Sequence, residues 1–115
     1  MSRYLSAALA QEASGWIAAQ LLDEGAMLPD ALIGAILDHE WQAIDGGADA
    51  DDRPALIAEV GERLAADDVR VAAPPPPGAG THPATPEPVP AVLIERVLSW
   101  EDDFLGLAGI RRRAG

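Results

Sequence analysis

The 115-residue chain contains no cysteine and no lysine, and only five of its residues are aromatic. Without cysteine it forms no disulfide, no thiolate metal site and no thiol nucleophile, which fits a reducing compartment. No apolar run reaches the roughly 18 to 20 residues that cross a bilayer. No basic cluster precedes an apolar N-terminal segment, as a secretion signal would require. We therefore expect a soluble, cytoplasmic protein.

Sequence patterns typical of catalysis are also missing. The four serines occur in no Gly-x-Ser-x-Gly setting, and two histidines suggest no Ser-His-Asp arrangement. Gly46-Gly47 precedes acidic residues that would repel a phosphate, and neighbouring acids such as those at 101–103 lack the spacing of a calcium loop. We expect no enzymatic activity, no catalytic residues and no cofactor.

The charge of the chain is strongly negative. Nineteen acidic residues against eight arginines give a formal charge of −11 and an isoelectric point near 4.3. A phosphate backbone needs a cationic surface, so we expect neither a nucleic-acid nor a membrane partner. The run Arg111–Arg113 complements the negative end of a preceding helix. Its alternatives are docking on an acidic bundle surface, or a nucleic-acid or membrane arm.

Apolar periodicity predicts three helices in residues 1–71, which we treat as one three-helix domain. Alanine favours helix and buries little area, and with 23 alanines the core should be thin. Gly25 is a stop signal, Pro29 a start signal and Asp52 a candidate cap. The predicted helices span residues 3–24, 29–45 and 54–66. Short loops between them indicate an antiparallel bundle.

Proline dominates the next stretch. Residues 72–90 contain eight of the ten prolines, a composition that we expect to hold neither a helix nor a sheet ladder and to form an extended linker. Residues 91–110 return to helical periodicity, and residues 111–115 form an Arg-rich tail. The predicted fold is thus all-α, a small bundle of three helices plus a fourth helix carried on a Pro-rich linker. A linker reach of roughly 50 Å lets that helix dock on its own bundle or on another chain.

The second and fourth helices share one pattern. A shift of 61 residues places Leu28–Asp45 on Val89–Gly106, and both contain Pro-x-x-Leu-Ile-x-x-(Ile/Val)-Leu-x-x-Glu. A weaker copy in the third helix has Leu64 in place of the glutamate. At 100° per residue, Glu40 and Glu101 fall near the middle of the apolar arcs of their helices. We expect the two helices to pack as a pseudo-symmetric pair, with Glu40 as a polar residue of the seam.

A carboxylate on an apolar face requires solvent or a partner. One hypothesis places Glu40 and Glu101 where they reach solvent, a Trp indole N–H, or an arginine such as Arg3, Arg63 or Arg96. A second makes them polar spots of a recognition groove. A third makes them metal ligands, together with His39. The Glu-x-x-His pairs of di-iron bundles are missing, so we expect no metal.

The apolar face of the fourth helix is the candidate partner-binding surface, because a large apolar face on a tethered helix suits helix-in-groove recognition. Its predicted contact residues are Leu93, Ile94, Val97, Trp100, Glu101, Phe104 and Leu105. In the alternative, the same face completes the bundle as its fourth helix.

The expected function is therefore non-catalytic protein–protein interaction, as an accessory subunit, adaptor or assembly factor. Its partner would be another protein or a second copy of the chain. One alternative is an acidic, antitoxin-like regulatory inhibitor that masks a basic surface of its partner. The other is a carboxylate metal-binding helical protein.

Overall fold

The computed structural model describes residues 6–26, 28–72 and 86–110. Its four helices confirm the predicted all-α class. Most of the predicted linker, the Arg-rich tail and Arg3 lie outside the described residues. The elements are α1 (Ala7–Asp23), α2 (Asp30–Asp45), α3 (Arg53–Ala66), β1 (Arg70–Ala72), β2 (Pro86–Pro88) and α4 (Ala91–Ala108). In these parts of the chain, no helix has the length and apolar character needed to cross a membrane.

The helix ends follow the local signals. The Asp52 side chain accepts a hydrogen bond from the backbone N–H of Ala55 at 3.3 Å, which confirms the predicted cap of α3. Gly25 follows α1 with a φ of 89°, and Gly109 follows α4 with a φ of 70°. This left-handed backbone favours glycine, so both glycines end their helices at little conformational cost.

The four helices close into a ring in which α1 and α3 each pack on both α2 and α4. Arg96, near the start of α4, bonds Glu24 just after the end of α1. Phe104, nearer the end of α4, contacts Trp16 in the middle of α1. These two helices are therefore antiparallel. α2 and α3 are antiparallel, as the pairs Gly46–Arg63 and His39–Asp67 show. α3 and α4 are antiparallel too, as the pairs Arg53–Asp102 and Gly61–Ile94 show. α2 and α4 therefore run in the same sense and contact each other across the ring.

The repeated pattern predicts the burial pattern of α2 and α4. Five buried positions of α2 have buried counterparts 61 residues later in α4. The matching pairs are Ile33 with Ile94, Ile36 with Val97, Leu37 with Leu98, Glu40 with Glu101, and Ile44 with Leu105. In the weaker third copy, Leu64 is also fully buried. The position that carries glutamate in two helices thus faces the core in all three.

The end of the proline-rich stretch forms a strand, contrary to the expectation that this stretch holds no sheet ladder. β2 pairs with β1 in antiparallel register, with Val71 opposite Glu87. Pro86 and Pro88 have no backbone N–H, so Glu87 is the only possible donor in β2. The described sheet has only these two strands, and an edge strand tolerates proline. The pairing brings the start of α4 back beside the end of α3.

Candidate functional site

The predicted partner-binding face of α4 lies against the bundle of its own chain. Four of its seven residues are buried, namely Ile94, Val97, Glu101 and Leu105. The remaining three are partly buried and pack against the same core, namely Leu93, Trp100 and Phe104. The structure therefore has the arrangement in which this face completes the bundle as its fourth helix.

Glu40 and Glu101 are fully buried, with exposed fractions of 0%. The hypothesis that they reach solvent at the end of the buried stretch is therefore wrong, because Ile44 and Leu105, one turn further along, are still buried. Neither carboxylate lacks an interaction partner. Of the three candidate arginines, Arg63 bonds Glu59, Arg96 bonds Glu24, and Arg3 lies outside the described residues.

His39 does not join the two glutamates in a metal site. Within residues 6–26, 28–72 and 86–110, no group of three His, Asp or Glu side chains is arranged to hold a metal ion. The Nε2 atom of His39 lies 2.8 Å from an oxygen of Asp67, just beyond α3. His39 thus connects α2 to the end of α3.

Three of the five aromatic side chains meet where α1 packs on α4. The ring of Trp16 makes an edge-to-face contact with Trp100, with 5.7 Å between centroids. A tilted contact joins Trp16 to Phe104 at 6.0 Å. Such geometries are favoured by the charge distribution of aromatic rings. The contacts hold the partly buried Trp100 ring in place at the edge of the core.

Glu24, at the C-terminal end of α1, links this helix to α4. One oxygen accepts the indole N–H of Trp100, and the other accepts a hydrogen bond from Arg96 at 2.7 Å. A carboxylate at the negative end of a helix is unfavourable on its own, and the arginine compensates for it. The Trp100 hydrogen bond and then Arg96 hold the pKa of Glu24 below its usual value of 4.5. Both oxygens of Glu24 are therefore engaged within the chain.

A depression of about 270 Å³ lies beside this contact, lined by Glu24, Arg96, Ser99, Trp100 and Asp103. One wall is the indole of Trp100. Asp103 is exposed, and its carboxylate has no hydrogen bond or ion pair with the described part of the chain. The depression thus combines a fixed aromatic ring with a carboxylate that has no bond to the described residues.

Sequence reasoning identified Trp100 but missed the other four lining residues. The sequence feature that could have identified Asp103 as a site residue is the run of three consecutive acids in α4. Successive helical residues point about 100° apart. Glu101 is accordingly buried, Asp102 bonds Arg53 of α3 at 2.6 Å, and Asp103 lines the depression on the α1 side.

The arginines of the described residues are all paired with carboxylates of the same chain. The pairs are Arg53 with Glu95 and Asp102, Arg63 with Glu59, Arg70 with Asp68, and Arg96 with Glu24. All nineteen acidic residues belong to the described ranges, which contain only these four arginines. The described surface therefore keeps a large excess of negative charge.

Searches against protein-family profiles, curated protein sequences and solved structures found no match to this chain.

Proposed function

We propose that this chain is a non-catalytic interaction protein that binds a partner protein through a basic surface of that partner, as an accessory or regulatory subunit. The observation that supports this most directly is the charge distribution. Each described arginine is already paired internally, while most carboxylates face outward. Such a surface attracts lysine- and arginine-rich surfaces and repels acidic ones.

The burial of α4 indicates which surface of the bundle a partner contacts. The apolar face of α4 is already covered by α1, α2 and α3. A partner that approaches the outer surface of the bundle therefore requires no undocking of α4. Binding of this kind is close to rigid-body association, with long-range attraction that raises the association rate.

Affinity capture on the full-length chain, followed by a salt titration of the captured protein, tests this proposal. We expect a basic partner whose affinity falls by about tenfold or more between roughly 50 and 300 mM salt, because exposed charge pairs are screened. The control bait is an unrelated acidic helical protein of similar net charge. A specific partner binds the full-length chain and does not bind this control. An acidic partner, or one whose affinity is insensitive to salt, would contradict the proposal.

A second candidate function uses the apolar face of α4 in trans, on another protein or a second copy. It is supported by the likeness of α2 and α4, since a groove that accepts one such helix also suits the other. In this case, deletion of residues 89–115 should change the stability of the chain or its mass in solution. A truncated chain unchanged in both properties would exclude the exchange. Contact through this face would also be insensitive to salt.

A further inference from the structure

We propose that the depression between Glu24 and Asp103 binds an arginine side chain of the basic partner, with Trp100 as its aromatic wall and Asp103 as its counter-ion. This inference rests on the proposed function and specifies the chemistry of one contact within it. The three features that support it are the fixed position of the indole, the exposed carboxylate of Asp103 one turn away, which no described residue bonds, and the neutralised charge of Arg96.

Trp100 is held in position before any ligand arrives. Its N–H group donates to Glu24, and its ring contacts Trp16 edge-to-face. A guanidinium stacks on the face of an indole when it lies within about 6 Å of the ring. An aromatic wall fixed by contacts on two sides loses little conformational freedom when the arginine binds.

Asp103 supplies the negative charge of the pocket. It follows Trp100 by three residues, so the two side chains lie on the same side of α4 about 4.5 Å apart along the helix axis. Asp103 is exposed, and no described residue bonds its carboxylate. A planar guanidinium matches a carboxylate with two parallel hydrogen bonds, which favours arginine over lysine at this position.

Arg96 does not exclude a second cation. It precedes Asp103 by seven residues, which is about two turns of the helix. Its guanidinium is also paired with Glu24 at 2.7 Å. The charges that line the depression are therefore one ion pair plus the carboxylate of Asp103.

The corresponding positions of α2 carry different side chains. A shift of 61 residues places Asp38, His39 and Gln42 opposite Ser99, Trp100 and Asp103. There the Gln42 side chain bonds Asp38 at 2.9 Å, and His39 contacts Asp67. These positions of α2 therefore offer neither the indole of Trp100 nor the exposed carboxylate of Asp103.

Nuclear magnetic resonance of the ¹⁵N-labelled full chain tests the pocket with blocked arginine, N-acetyl-arginine amide, as the probe. We expect the indole N–H resonance of Trp100 to shift with a saturable dependence on the probe, while the resonances of Trp16 and Trp41 shift less. The uncharged isostere N-acetyl-citrulline amide should produce no saturable shift. Asp103→Asn should weaken binding of blocked arginine by about fivefold or more.

The matched control is Asp30→Asn, which changes an exposed acid of α2 and should leave the affinity unchanged. Circular dichroism establishes that both variants keep the fold. The proposal is overturned if all three indole resonances respond alike, if the citrulline compound binds equally well, or if Asp103→Asn has no effect. These outcomes are distinct from failure of the proposed function, which is shown by the lack of a salt-sensitive basic partner.

Discussion

α2 and α4 share five buried positions and differ at the positions beside them. Both begin after a proline in extended backbone, Pro29 or Pro90, and both bury five positions at the same spacing. In α2 the Gln42 side chain bonds Asp38 and His39 contacts Asp67, whereas the matching positions of α4 carry the depression at Trp100. The comparison shows that the repeated residues specify the bundle, while the residues that differ between the copies create the candidate site.

The two helices also differ in how they are attached. α2 is joined to both neighbours by short loops, whereas α4 follows the long connection that begins after α3. α4 makes polar contacts on both flanks, Arg96 with Glu24 of the α1 end and Asp102 with Arg53 of α3. Exposed ion pairs contribute about 0 to 1 kcal/mol each. These contacts therefore orient α4 more than they stabilise it, and its stability comes from the buried apolar face.

The largest effect is expected from shortening a matched pair of core residues, Leu37→Ala in α2 and Leu98→Ala in α4. Both leucines are almost fully buried. Each substitution removes buried methyl groups and leaves a cavity, so each should lower the free energy of unfolding by about 2 to 5 kcal/mol. Urea unfolding followed by circular dichroism measures both losses.

Equal losses in a single transition would show that α4 is as integral to the bundle as α2. If Leu98→Ala costs less than about 1 kcal/mol while Leu37→Ala costs the full amount, then α4 is detached in solution. That outcome would favour the function in which α4 docks in trans.

A smaller effect is expected from substituting the two glutamates at matching positions of α2 and α4. Glu40→Gln and Glu101→Gln preserve shape but replace the carboxyl group of a fully buried side chain that has interaction partners. Leaving a buried polar group without its partner costs about 1 to 3 kcal/mol, so each variant should lose about 2 kcal/mol of stability in urea unfolding. Glu62→Gln on the exposed side of α3 is the control and should change stability by less than about 0.5 kcal/mol. A loss in only one of the two variants would show that the repeat does not extend to the polar interior.

The sequence was sufficient to predict the helices and much of the core. Apolar spacing and local signals such as Gly25 and Asp52 predicted where helices end, because capping depends on residues close in sequence. The repeat predicted which positions of α2 and α4 face inward. It did not predict full burial of Glu40 and Glu101, because helical projection gives a direction and not a depth.

The candidate site was predictable only in part. The hydrogen bond from Trp100 to Glu24 joins residues 76 positions apart, and no local pattern indicates such a contact. The sequence predicts Trp100 as a partner contact because the residue is large and apolar. In the structure its indole N–H bonds Glu24, and its ring is partly buried at the edge of the core. The sequence does not predict β2, because proline is unfavourable in sheets. The composition of a proline-rich stretch does not reveal that Glu87 alone can donate a backbone hydrogen bond.

The smallest effect concerns the contact of Trp100 with Glu24, the carboxylate that follows α1; at the matching position of α2, His39 contacts Asp67, which follows α3. Trp100 and Arg96 lower the pKa of Glu24 in the folded chain relative to the usual value of 4.5. The folded state therefore binds this proton less readily than the unfolded state. The contribution of Glu24 to stability is present above about pH 4.5 and is lost as the pH falls through the lowered pKa.

Urea unfolding of wild type and Glu24→Gln at several pH values between roughly 3 and 7 measures this contribution. We expect the difference in unfolding free energy to be constant above about pH 5 and to shrink at lower pH. Trp100→Phe keeps an aromatic ring but removes the first cause of the lowered pKa, so in this background the pH-dependent part of the Glu24→Gln difference should be smaller and should level off at a higher pH. A difference that stays constant down to about pH 3 would show that the Glu24 carboxylate does not link α1 to α4 in solution.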